Sequence, residues 1–127
     1  MDQQSKSLSQ LTQVIEGKRD DLIQLTGDLI RIPTLNPPGE NYRDICEFLA
    51  TRLRASGFDV ELIRAHGTPG DCEAYPRWNI IARRDGKHRG DCVHFNSHTD
   101  VVEVGKGWTQ DPFGGAHIDG KIYGRGA

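Results

Sequence analysis

Two residues that follow a short apolar run have side chains suited to chemistry. His98 and Asp100 stand two positions apart in the segment Asn96-Ser-His-Thr-Asp-Val-Val102. In an extended chain, residues two apart point to the same side, so these side chains are expected to meet. A neutral imidazole nitrogen is a good zinc ligand, and it binds better when a carboxylate holds its other ring N–H. The spacing therefore suggests a metal-binding histidine, His98, with Asp100 as its partner.

The histidine–aspartate pattern is a weak signal when it stands alone. The sequence contains a second instance, His117-Ile-Asp119, in which the aspartate precedes Gly120 and suits a turn. We therefore interpret that second pair as structural. For His98, a solvated histidine or one satisfied in the core remains an alternative.

The remaining histidines and the nearest serine do not fit other catalytic patterns. His94 lies four residues before His98, but position 95 is phenylalanine rather than the glutamate of an HExxH zinc motif. We expect His94 to be packed or paired within a sheet, and His66 and His88 to lie on surface loops. Ser97 has no G-x-S-x-G elbow around it, so it is not predicted to be a nucleophile.

Length and composition are those of an ordinary globular protein. The chain has 127 residues, of which 35% are hydrophobic and 27% charged, and its formal net charge is −2. This balance argues against a basic nucleic-acid-binding surface and against a membrane-surface helix. The polar beginning of the chain, MDQQSKSLSQ, lacks the apolar stretch of a signal peptide or membrane span. We therefore expect a cytoplasmic protein with one domain and a single core.

The cysteines give a further indication of the compartment. Cys46, Cys72 and Cys92 are far apart and form no CxxC pair, so a structural zinc site of the finger type is not indicated. We expect reduced thiols that are packed as small hydrophobic side chains, as in most cytosolic proteins.

The spacing of apolar residues predicts two helices in the first half of the chain. Between Leu8 and Ile32 the apolar residues follow helical spacing and predict one helix, which Pro33 ends. A proline-rich loop follows. A second helix is predicted from about Asn41 to Ser56, and Gly57 stands where a left-handed C-cap is expected.

After Gly57 the hydrophobic pattern changes to that of strands. Strands are predicted at 58–64, 78–83 and 92–96, the last two joined by a hairpin-like connection. We expect 92–96 to be a buried strand with His98 at its C-terminal end, at the sheet edge where ligands tend to bind. The order of helices and strands favours an α/β protein with a mixed sheet.

Glycines shape the last part of the chain. Asp119-Gly120 predicts a turn between short strands at 116–118 and 121–123. Gly124 and Gly126 form no phosphate-binding motif and instead predict a backbone that turns sharply or passes close to a site.

Three ordered motifs give the chain a specific resemblance to a known family. They are Asn96-Ser-His-Thr-Asp-Val-Val102, Gly107-Trp-Thr-Gln-Asp-Pro-Phe113 and Asp119-Gly-Lys-Ile-Tyr-Gly-Arg-Gly-Ala127. Two earlier segments agree with them, Ile32-Pro-Thr-Leu-Asn-Pro-Pro-Gly-Glu40 and Leu53-Arg-Ala-Ser-Gly-Phe58. Together they resemble the acetylornithine deacetylase and succinyl-diaminopimelate desuccinylase family, which is related to aminoacylases and to carboxypeptidase G. The resemblance runs from about Asp21 to Ala127.

This resemblance implies a fold, an activity and partners. The chain, residues 1–127, would be the N-terminal portion of an α/β, mixed-sheet, zinc-peptidase-like catalytic domain with two helices followed by strands. The rest of that domain and an inserted dimerisation domain would lie beyond it. The implied activity is metal-dependent hydrolysis of the amide bond of an N-acyl amino acid. The implied partners are this small-molecule substrate and, for the complete enzyme, a second copy in a homodimer; nucleic acid and membrane are not expected.

The resemblance also implies roles for two residues. His98 matches the first histidine ligand of the family's metal site, and Asp100 matches the catalytic-site aspartate that orients this histidine. The complete enzyme would hold two zinc ions, with cobalt as an alternative metal, and its bridging aspartate would fall at position 129. The general-base glutamate and the other ligands would follow. Because one ligand does not make a site, we expect this chain alone to be inactive.

Two departures from the family pattern concern the substrate rather than the ligands. Glu103 replaces the usual proline, and Ser97 stands where glycine is common. They leave the proposed ligand in place but weaken any statement about the acyl group. A truncated, non-catalytic remnant of such an enzyme, or a related carboxypeptidase or aminoacylase, remains an alternative.

Overall fold

The computed structural model describes residues 3–87 and 90–127 as an α/β chain with three helices and four strands. The elements in chain order are α1 (Gln3–Glu16), α2 (Arg19–Ile30), α3 (Tyr42–Ala55), β1 (Asp59–Arg64), β2 (Trp78–Arg83), β3 (Ala116–Ile118) and β4 (Lys121–Tyr123). They belong to two compact units, one formed by the residues up to Arg31 with Lys106–Ala127 and the other by Ile32–Gly105. The described strands pair as two two-stranded antiparallel sheets, β1–β2 and β3–β4, rather than as one mixed sheet.

The first unit contains two helices where the sequence predicted one. A turn at Gly17 and Lys18 separates α1 from α2. The amide of Lys18 donates to the carbonyl of Ile15 at 3.0 Å, which closes a tight turn instead of continuing the helical ladder. Glycine has a low helix propensity, and this explains the position of the break. The prediction of one continuous helix is therefore wrong.

Glycine geometry in the first unit agrees with the sequence. Asp119 and Gly120 connect β3 to β4 with φ values of 50° and 74°, as the primed turn of a tight hairpin requires. The turn is confirmed, and so is the structural interpretation of Asp119. A Cβ atom on Gly124 would lie 2.5 Å from Cγ2 of Ile30, so the backbone here passes close to helix α2.

The second unit is built on α3 and the β1–β2 sheet. α3 and both strands lie within a residue of the predicted bounds. The strands pair antiparallel with Asp59 opposite Arg83, and α3 packs against both. This packing buries four small or branched side chains, namely Ile45, Cys46, Ala50 and Val60.

The segment 92–96 is not a strand. It forms no backbone ladder with the described residues, and the side chains of Val93 and Phe95 are 75% and 88% exposed. β2, which was expected to pair with this segment, pairs with β1 instead. A strand is stable only where a neighbour accepts and donates its backbone hydrogen bonds. The prediction of a buried strand ending at His98 is therefore wrong, and His94 is exposed rather than packed in a sheet.

Several smaller predictions have mixed outcomes. His66 is exposed as predicted, whereas His88 lies outside the described residues. All three cysteines are free, but only Cys46 is buried; Cys72 and Cys92 are exposed. In the described part of the chain, no helix is both long and apolar enough to cross a membrane.

Candidate functional site

The segment that carries His98 is anchored to the loop after Pro33 by main-chain hydrogen bonds. Leu35 and Val101 form a parallel β-bridge, in which the amide of Asn36 donates to the carbonyl of Val101 at 2.9 Å. The amide of Val101 in turn donates to the carbonyl of Thr34, also at 2.9 Å. The backbone pairing of this segment is therefore an isolated bridge three residues after His98, with a partner that the sequence patterns did not indicate.

The side chain of Thr34 reinforces this anchor. Thr34 is 2% exposed, and its hydroxyl donates to the carbonyl of Thr99 at 2.5 Å. A buried hydroxyl must find a hydrogen-bond partner, since leaving it unpaired costs about 1–3 kcal/mol. Thr99 lies between His98 and Asp100, so this hydrogen bond fixes the backbone between the two candidate site residues.

His98 and Asp100 are in contact, as their spacing predicts. Nδ1 of His98 lies 3.1 Å from Oδ1 of Asp100 and 3.1 Å from the carbonyl oxygen of the same residue. Both oxygens are acceptors, so Nδ1 carries a hydrogen, and in the neutral imidazole the lone pair is then on Nε2. The side chain of His98 is 84% exposed, and Nε2 is therefore accessible from solvent.

Asp100 is held from its other side by Asn36. Nδ2 of Asn36 donates to Oδ2 of Asp100 at 2.8 Å, and this hydrogen bond holds the pKa of the Asp100 carboxyl below its usual range. The contact with His98 acts in the same direction, whereas burial opposes it. Asp100 is therefore ionised at neutral pH, with Asn36 and His98 at different oxygens and the Tyr42 hydroxyl also hydrogen-bonded to its carboxylate.

Arg77 lies beyond Asn36 in the same network. Its Nη1 atom donates to Oδ1 of Asn36 at 3.3 Å, and its guanidinium lies 5.0 Å from the centre of the Tyr42 ring. Glycines leave room for the guanidinium, because a Cβ atom on Gly39 or on Gly70 would lie 2.0 or 2.2 Å from its terminal nitrogens. Burial, followed by the charge of Asp100, raises the pKa of the Tyr42 hydroxyl, and Arg77 opposes this change.

A cleft of about 470 Å³ adjoins this network. Asn36, Tyr42 and Arg77 are among its lining residues, together with Thr68 and Gly70. His98 does not line the cleft, so the imidazole faces solvent while Asn36 connects the two features.

The donor set fits one metal ligand and its supporting carboxylate. A histidine that donates Nδ1–H to a carboxylate and offers Nε2 is the usual arrangement of a zinc ligand. A catalytic zinc takes three protein ligands. Within residues 3–87 and 90–127, no group of three or more histidine, cysteine, aspartate or glutamate side chains is arranged to hold an ion. The described residues therefore fit part of a metal site.

Sequence reasoning did not find Asn36 or Arg77. Asn36 was placed in a proline-rich loop on composition, and Arg77 precedes a strand in a segment without a motif. The separation of Asn36 from Asp100 is 64 residues, and no periodicity connects them. The one available signal was the order of the motifs, since the segment containing Asn36 also belongs to the family resemblance.

The chain is similar to curated proteins of one kind. It is 38% identical over 109 residues to the succinyl-diaminopimelate desuccinylase of Cereibacter sphaeroides, and these residues are 84% of the chain. It is 40% identical over 109 residues to the enzyme of that name from Methylobacterium radiotolerans, and 41% identical over 107 residues to that from Cupriavidus taiwanensis. Each alignment covers 26% of the relative, so the chain spans about a quarter of the length of the curated relatives it matches.

The other comparisons add no further relative. No family model matches the chain, and no solved structure matches it.

Proposed function

Since the chain is a relative of the succinyl-diaminopimelate desuccinylases over 84% of its length, we propose that it is part of a metal-dependent hydrolase of N-acyl amino acids. The reaction would cleave the amide bond and release a carboxylate and an amine. The observation that supports the proposal most directly is the state of His98, whose Nδ1 is held by Asp100 while Nε2 is free to bind a metal.

The two residues have distinct roles in this proposal. His98 would contribute Nε2 as one ligand of a zinc ion, with cobalt as an alternative metal. Asp100 would hold the imidazole in the tautomer that presents this nitrogen, and its negative charge would make the nitrogen a stronger donor. When bound, the metal would polarise the scissile carbonyl and lower the pKa of a water molecule.

A chimeric protein that joins this chain to the remainder of a curated relative would test the proposal. A chimera would carry residues 21–127 of this chain in place of the matching segment of the Cupriavidus taiwanensis enzyme, to which it is 41% identical. Hydrolysis of succinyl-diaminopimelate and of acetylornithine would be measured with added zinc or cobalt. Turnover of either compound would support the proposal that this chain can supply the N-terminal part of such a hydrolase.

Substitutions in the chimera then test the roles of the two residues. We expect His98→Ala to reduce kcat/KM by more than about 100-fold, because a metal ligand is lost, and Asp100→Ala to reduce it by about 10- to 100-fold. His94→Ala is the matched control, since His94 is an exposed histidine four residues away, and it should retain activity. A folded chimera without turnover would favour the non-catalytic remnant, and full activity of His98→Ala would refute the ligand assignment.

A further inference from the structure

Asn36 connects a donor-only group to an acceptor-only group. Its Oδ1 accepts from the guanidinium of Arg77 at 3.3 Å, and its Nδ2 donates to the carboxylate of Asp100 at 2.8 Å. A guanidinium has no acceptor and an ionised carboxylate has no donor. The amide can therefore satisfy both neighbours in one orientation only, and rotation by half a turn would break both hydrogen bonds.

This fixed amide determines which oxygen of Asp100 is available to the imidazole. Asn36 takes Oδ2, and Oδ1 lies 3.1 Å from Nδ1 of His98. A short carboxylate side chain that is held at one oxygen has little freedom at the other. His98 itself is 84% exposed, so its ring receives little support from packing and depends on hydrogen bonds for its orientation.

We propose that Asn36 is a positioning residue for His98, acting through Asp100, and that Arg77 fixes the orientation of the Asn36 amide. This inference rests on the proposed function for its purpose, which is to present Nε2 of His98 to a metal. Its structural content concerns only the contacts among Arg77, Asn36, Asp100 and His98. It can therefore be tested in the chain as it is, without metal or substrate.

The main chain allows the side chain of Asn36 to be tested separately. The amide of Asn36 and the amide of Val101 both donate to main-chain carbonyls, so truncating the Asn36 side chain leaves these hydrogen bonds in place. Protection of the two amides from hydrogen exchange would show that the loop remains docked. Asn36→Ala removes the donor, and Asn36→Asp removes it at nearly unchanged size while placing a second carboxylate beside Asp100.

A matched control exists in the same loop. Nδ2 of Asn41 donates to the carbonyl of Pro33 at 2.8 Å, and Asn41 has a φ of 55°. Asn41→Gly removes an amide from this loop while allowing the positive φ. If Asn36 served only to order the loop, the two substitutions would affect His98 alike.

The experiment is NMR of the 127-residue chain at a pH at which the imidazole is neutral. Three-bond couplings give the χ1 rotamer of Asp100, and ring ¹⁵N shifts give the ratio of the Nδ1–H to the Nε2–H tautomer of His98. We expect one Asp100 rotamer and mainly Nδ1–H in the unaltered chain. In Asn36→Ala and Asn36→Asp we expect averaged rotamers and a fall in the tautomer ratio of about threefold or more, with Asn41→Gly unchanged.

A double substitution tests whether Asn36 acts through Asp100. In the Asp100→Ala background the ratio should fall, and adding Asn36→Ala should change it no further. An additional fall there, or an unchanged Asp100 rotamer in both Asn36 variants with protected amides, would overturn the inference. These outcomes are independent of turnover in the chimera, so the inference and the proposed function can each fail alone.

Discussion

At the scale of single residues, Asp71 shows how a carboxylate organises an irregular loop. Its oxygens accept from the guanidinium of Arg64, from the amide of Arg77 at 3.1 Å and from the amide of Gly67 at 3.1 Å. The Arg64 hydrogen bond, followed by the Arg77 amide, lowers the pKa of Asp71 to about 2. These hydrogen bonds are stronger to the ionised form than to the protonated one, so the charge of Asp71 stabilises the loop between β1 and β2.

This pKa predicts a pH dependence of stability. A carboxyl group whose pKa is about 2 in the folded chain and about 3.9 in the unfolded chain stabilises the fold fully above pH ~4. The contribution is lost as the pH falls through the folded value, because the unfolded chain binds the proton more readily. We expect Asp71→Asn to be less stable than the unaltered chain at neutral pH, and the difference to shrink as the pH falls from about 4 through 2.

Urea unfolding of both chains at several pH values between these limits would check this prediction. Asp91→Asn is a suitable control, because it removes a carboxylate that is exposed and lies outside the helices and strands. A difference between Asp71→Asn and the unaltered chain that stays constant down to pH ~2 would show that the charge of Asp71 is not responsible.

The candidate site was predictable from sequence only in its local part. The His98–Asp100 contact follows from residues two positions apart, and local spacing was enough to predict it. The contacts of Asp100 with Asn36 and of Thr99 with Thr34 join residues more than sixty positions apart. Such contacts depend on how the loops dock, which neither hydrophobic period nor turn chemistry specifies.

At the scale of elements, α3 ends at the left-handed glycine C-cap that the sequence predicted. Gly57 has a φ of 81°, its amide donates to the carbonyl of Arg54 at 2.9 Å, and the amide of Phe58 donates to that of Leu53 at 3.0 Å. These hydrogen bonds satisfy carbonyls that the helix itself leaves unpaired. The turn directs the chain from α3 into β1, so the cap contributes to the packing of the second unit.

The conformation of Gly57 predicts the effect of adding one methyl group at this position. A Cβ atom on Gly57 would meet nothing closer than Cζ of Arg84 at 4.0 Å, so Gly57→Ala creates no clash. The left-handed conformation remains unfavourable for alanine, and we expect a loss of about 1 kcal/mol in the free energy of unfolding. Gly17→Ala is the contrasting control, because Gly17 has no positive φ and alanine is the better helix former.

Denaturant unfolding monitored by circular dichroism would give both changes. Gly57→Ala should lower the midpoint, whereas Gly17→Ala should leave it unchanged or raise it. Equal changes of the same sign would show that the φ of Gly57 does not determine the cost.

Elements that need distant partners were predicted less well than capped helices. The 78–83 strand was placed correctly, but its partner is β1 rather than the segment 92–96. Both candidate partners have strand-like composition, and composition does not decide which backbone lies alongside. Val93 and Phe95 have high strand propensity, yet their side chains are exposed and their backbone pairs with no strand in the described chain.

At the scale of the whole chain, motif order was more informative than any single motif. A lone histidine–aspartate pair occurs twice in the sequence, and the second pair belongs to a hairpin turn. The ordered set of motifs pointed to a resemblance, and the chain is 38–41% identical to curated succinyl-diaminopimelate desuccinylases over about a quarter of their length. The fold of the two units could not have given this result, because no solved structure matches the chain.

The chain alone carries only part of the expected metal site. His98 offers one nitrogen, and within residues 3–87 and 90–127 no group of three potential ligands is arranged around an ion. Because a catalytic zinc takes three protein ligands, we expect no tight stoichiometric zinc site and no turnover of succinyl-diaminopimelate by the 127-residue chain. Calorimetric titration with zinc would measure the affinity. A stoichiometric complex that is lost in His98→Ala but kept in His94→Ala would contradict this expectation, because it would require further ligands close to His98.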